Sequence, residues 1–80
     1  MRQLYGYFKH VCVKDTSYVT IITSPAIQER DKAGFVIYLL GNLIMVFRLI
    51  DGEEQQMIVS SNFTILSCES EYIYKLKTLR

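Results

Sequence analysis

The sequence predicts an all-β fold, mainly antiparallel, arranged as one small β-barrel of about five to seven short strands. Three observations carry this. Short runs rich in β-branched and aromatic residues alternate with turn signals along the chain. Two dipeptides, Gly41-Asn42 and Asp51-Gly52, stand between apolar runs as two-residue hairpin loops do. Half of the 80 residues are hydrophobic, which makes the chain globular rather than disordered and gives enough core for a single domain over residues 1–80.

Residues 4–13 read as the first strand by their aromatic and β-branched content. Asp15, Thr16 and Ser17 form a turn, and residues 18–23 (YVTIIT) a second strand. Residues 24–34 (SPAIQERDKAG) differ. Ser24 suits an N-cap, Pro25 a first helical position and Gly34 a left-handed stop. They predict a helix of about two turns, marginal at that length, with a protruding polar loop as the alternative. Residues 35–40 and 43–50 form the third and fourth strands around Gly41-Asn42. Gly at the first central position selects a type II′ turn, so Leu40 faces Leu43, Tyr38 faces Met45 and Val36 faces Phe47. Asp51-Gly52 turns the chain through a type I′ or longer loop into residues 55–60. Ser61-Asn62 leads into residues 63–68, and Glu69-Ser70-Glu71 into a last strand at 72–76.

The uncharged stretch from Ala33 to Phe47 raises the question of a membrane span. Arg48 ends it short of the ~20 apolar residues that a spanning helix needs. Asn42 would sit near its middle, at a cost in lipid. No membrane span is expected. The opening MRQLYGYFKH lacks the apolar core and cleavage site of a signal peptide, so none is expected there either.

The segment FRLIDGEEQQMIV, with the Ser-Ser-Asn element and short strand after it, is reminiscent of SH3-like barrels over roughly residues 43 to 68. The resemblance implies barrel architecture and leaves function open. The N-terminal half has no acidic loop and no paired aromatics of the peptide-binding kind, and the chain has no Trp.

A net charge of +1 gives no global basic field for nucleic acid and no acidic field for mimicry of it. Two cysteines, Cys12 and Cys68, are too few for a disulfide scaffold. They read as buried thiols of a reducing compartment, which points to the cytoplasm, on strands that a barrel could bring together. Asn62-Phe63-Thr64 matches a glycosylation acceptor, a match with meaning only in a secreted chain. His10 and Cys12, with Cys68 as a third donor, lack the tight ligand spacing of zinc sites, and nothing orients them for nucleophilic catalysis. Asp51, Glu53 and Glu54 cluster at a hairpin tip, which is solvent and not the buried cleft that acid–base work needs. No phosphate-binding glycine loop is present. No cofactor, metal or enzyme activity is expected.

The pleat sharpens the functional expectation. Leu43, Met45, Phe47 and Leu49 point one way, and Ile44, Val46, Arg48 and Ile50 the other. Phe35, Ile37 and Leu39 oppose Val36, Tyr38 and Leu40 in the same manner. Both faces are apolar, yet one small barrel has one interior. Either the sheet folds over itself, or part of the surplus is an exposed patch that another protein covers. The expected function is a non-enzymatic protein-binding module acting as a homodimer or small oligomer. A small regulator or inhibitor, such as a phage or mobile-element protein working in the host cytoplasm, fits that size. Tyr38, Met45, Phe47 and Arg48 would supply the patch, with Gln28, Arg30, Asp51 and Glu53 as polar contacts. The alternative is a nucleic-acid-binding or transcription-regulating barrel. Its surface would be Tyr5, Tyr7 and Lys9 on one face of the first strand, beside Tyr74, Lys75 and Lys77 of the last.

Overall fold

Strand-forming sequence and tight turns build eight strands in the computed structural model, which describes residues 1–15 and 17–70. They are β1 (Gln3–Phe8), β2 (Val11–Lys14), β3 (Val19–Thr23), β4 (Ala26–Ile27), β5 (Gly34–Leu40), β6 (Leu43–Ile50), β7 (Glu53–Ser60) and β8 (Phe63–Ser67). The described residues contain no helix. The expected strand at 72–76 lies outside them.

The hairpins form as their turn chemistry dictates. Gly41 has φ 58° while Asn42 stays negative, the sign pattern of a type II′ turn. The register then pairs Leu40 with Leu43, Tyr38 with Met45 and Val36 with Phe47. Asp51 and Gly52 both take positive φ, 51° and 83°, as type I′ requires. The run 35–47 is therefore a hairpin, and no helix of the described residues is long and apolar enough to cross a membrane.

Five strands form one sheet in the order β4-β1-β5-β6-β7, and three form another in the order β2-β3-β8. Among the described strands, all pairs are antiparallel except β3 with β8. The sheets pack face to face. Phe8, Ile37, Ile44 and Val46 of the larger sheet meet Val19 and Ile21 of the smaller, with Val11, Val13, Phe63 and Ile65 at the margin. Each fully buried aliphatic side chain here contributes about 1.5–3 kcal/mol over its exposed state.

Three features of the described residues depart from the arrangement expected. The described strands form two sheets with no pairing between them, rather than a closed barrel. One reason is that β8 pairs parallel to β3 instead of folding back on β7. Another is that residues 4–13 are not one strand: the chain leaves the larger sheet at Phe8 and enters the smaller at Val11. A reciprocal clasp fixes that crossing. The His10 amide donates to Ser24 Oγ at 3.1 Å, and the Ser24 amide donates to the His10 carbonyl at 3.0 Å.

The third concerns residues 24–34, which form no helix: of the two expected forms the exposed polar loop is found, with a two-residue strand near its start. Ala26 and Ile27 pair with Phe8 and Tyr7 at the edge of β1. An isolated two-turn helix has little stability of its own, so ladder hydrogen bonds to an open edge prevail. The segment then crosses toward the β6–β7 turn, where the Lys32 carbonyl accepts from the Gly52 amide at 3.0 Å and Arg30 donates to the Gly52 carbonyl. Gly34 re-enters the sheet with φ 130°, and a Cβ there would lie 2.9 Å from the Phe8 carbonyl oxygen.

A candidate interaction face on the larger sheet

The larger sheet has a second face, opposite the shared core. Residues paired across antiparallel strands share a face, so the register defines its rows. One row runs Leu4, Tyr38, Met45, Val59 across β1, β5, β6 and β7. The next runs Tyr7, Val36, Phe47, Gln56, and beyond it Gly34, Leu49, Glu54. Leu40 and Leu43 close the opposite end.

The two ends of this face differ. Val36, Phe47 and Leu49 are buried, with Tyr7, Tyr38 and Met45 packed around them. The Arg2 guanidinium lies 3.9 Å from the Tyr38 ring centroid and 5.2 Å from that of Phe47. Tyr38 and Phe47 meet edge to face at 5.6 Å. Glu54 ties this cover together. Its carboxylate accepts from Arg2 Nη2 at 3.2 Å and from the Tyr38 hydroxyl at 2.5 Å, and lies 3.5 Å from Arg30 Nη1. Burial raises the Tyr38 pKa above its ordinary 10.0. The hydrogen bond to Glu54 and that carboxylate's charge push the same way, and Arg2 pulls against them. At the other end, Leu4 is 51% exposed, Val59 39% and Leu40 36%, with Met45 and Leu43 half-buried between them.

The residues expected to bind a partner are thus divided. Tyr38, Met45 and Phe47 do share this face, but Phe47 is only 8% exposed and lies under Arg2. Arg48 projects from the opposite face, paired with Phe35 and Gln55. Gln28 and Arg30 are exposed on the crossing segment, Asp51 at the hairpin tip and Glu53 beside it.

The nucleic-acid surface needs correction too. A bulge between Leu4 and Gly6 breaks the alternation of β1. Tyr5 stacks toward Phe8 at 6.1 Å, on the core side, while Tyr7 packs with Val36 and Phe47 on the other. Tyr5, Tyr7 and Lys9 therefore do not share one face. Tyr74, Lys75 and Lys77 lie outside the described residues.

Cys12 and Cys68 are free thiols gathered around Ile22. Among the described residues no group of three His, Cys, Asp or Glu is placed to hold a metal. The Asn62 side chain donates to the Ser17 carbonyl at 3.1 Å and so braces the start of β3.

Leu4, Val59 and Arg2 were not singled out from the sequence, and Glu54, expected at a solvent-exposed hairpin tip, is instead half-buried among Arg2, Arg30 and Tyr38. A bulge in β7 hides Val59, because Val46 pairs with Ile58 but Phe47 with Gln56, so Met57 is extra and parity shifts. No family model, curated protein or solved structure matches this chain.

Proposed function

We propose that this chain is a non-enzymatic protein-binding module that docks through the open end of this face, with a second copy of itself as the occupant. The observation that carries the reading is the row Leu4, Tyr38, Met45, Val59, continued by Leu40 and Leu43, which leaves apolar surface across four strands. Contiguous apolar surface of this kind is characteristic of interfaces. Self-association suits the charge pattern. The net charge of +1 produces little repulsion between copies. A small regulator or inhibitor that works by occupying its partner is the role this reading implies.

Sedimentation velocity at micromolar concentration tests it. The wild type is expected to sediment as a dimer or small oligomer. A Leu4→Lys, Val59→Lys double variant, altered only at exposed positions, is expected to dissociate at least tenfold more readily. A monomeric wild type that fails to bind a hydrophobic dye would sink the proposal.

A further inference from the structure

We infer that a second site, at the junction of β1 and β2, binds a phosphate-bearing ligand. A concavity of about 510 Å³ opens there, within the size range of small-ligand sites. Three segments distant in sequence bring cations to it: Lys9 from the junction, Lys32 from the crossing segment and Arg48 from β6. The one carboxylate on its rim among the described residues is Asp51. Among the described residues, no carboxylate forms an ion pair with Lys9, Lys32 or Arg48, whereas Arg2 and Arg30 both share Glu54. Three cations against one acid concentrate positive charge in one hollow of a chain that is nearly neutral overall. Like charges brought together repel, and an anion seated among them relieves that repulsion.

The walls narrow the ligand class. Phe35 and Ile50 give an apolar side, which suits a phosphate carried on an organic group better than a bare inorganic ion. An adjoining concavity of about 570 Å³ also includes Lys9, but Glu29 and Asp31 there offset Arg30, so it does not select for anions. The basic hollow lies at the Gly34–Leu49 end of the sheet, away from Leu4 and Val59, so it stands or falls independently of the docking face.

Titration of the ¹⁵N-labelled protein at low salt, followed by amide shifts, tests this with three probes: pyrophosphate, adenosine monophosphate and a ten-residue oligothymidylate. Saturable shifts are expected at Lys9, Gly34, Phe35 and the amides from Arg48 to Asp51. A Lys9→Gln, Arg48→Gln variant, changed at two exposed side chains, is expected to bind at least tenfold more weakly while its remaining amides stay in place. Tighter binding of the oligonucleotide than of the mononucleotide, with a steep loss in salt, assigns the phosphate to a nucleic-acid strand. Equal or tighter binding of the mononucleotide assigns it to a free nucleotide. No saturable shift with any probe, or undiminished binding by the variant, overturns the inference.

Discussion

Tyr38 shows how one side chain couples the apolar face to its polar cover. Its hydroxyl donates to Glu54, and burial together with that carboxylate holds its pKa above 10.0. An unfolded tyrosine ionises near 10, so the folded chain keeps Tyr38 protonated at a pH where the unfolded chain begins to lose the proton. The stability it contributes is complete below pH ~10 and is lost as pH rises through the higher folded value. Tyr38→Phe is expected to cost about 1.5–3 kcal/mol near neutral pH, as a lost hydrogen bond to a charged acceptor does. In urea unfolding, the gap between wild type and variant should narrow above pH ~10. A gap of constant size from pH 8 to 11 would show that the hydroxyl is not coupled to Glu54. Two glycines offer a second comparison at this scale. Gly41 has φ 58° with open space around it, so Gly41→Ala should cost only the left-handed strain of about 1–2 kcal/mol. Gly34→Ala adds a 2.9 Å approach to a backbone oxygen that cannot swing aside. It should destabilise the protein at least twice as much, measured by the same unfolding curves.

At the scale of elements, legibility follows the range of the forces involved. The β5–β6 and β6–β7 hairpins could be read in advance because Gly41-Asn42 and Asp51-Gly52 set their geometry within two residues. The alternation that put Tyr38, Met45 and Phe47 on one face was legible for the same reason. The helix expected at 24–34 rested on local signals that the fold puts to other uses. Ser24 clasps His10 instead of capping a helix, and Gly34 takes its positive φ at the start of a strand. No residue between 4 and 13 announces the change of sheet at Lys9 and His10, since the clasp that fixes it comes from Ser24, fourteen residues away. Bulges hid the remainder. Each inserts one residue and reverses inside and outside, which concealed Val59 and separated Tyr5 from Tyr7. The basic hollow could not be read at all, because its cations come from three segments that only tertiary pairing brings together.

For the molecule as a whole, the two sheets differ in how far apart in sequence their strands lie, and this sets an order of assembly. The β5–β6–β7 meander pairs neighbours through two-residue turns. The smaller sheet instead depends on parallel pairing of β3 with β8, whose register partners Thr23 and Ser67 lie 44 residues apart. Closing so long a loop costs roughly 2–3 kcal/mol more than closing a two-residue hairpin, before any contact rewards it. The meander should therefore be formed in the folding transition state, and the parallel pairing should follow. Val46 and Ile21 allow a direct comparison, because both are fully buried in the same core but on opposite sheets. Val46→Ala is expected to slow folding, with a φ-value above ~0.5. Ile21→Val, costing about 1 kcal/mol, is expected mainly to speed unfolding, with a φ-value below ~0.3. Stopped-flow chevrons of the two variants give both values. The opposite ranking would mean that the long parallel pairing forms first, and that hairpin closure is not what nucleates this fold.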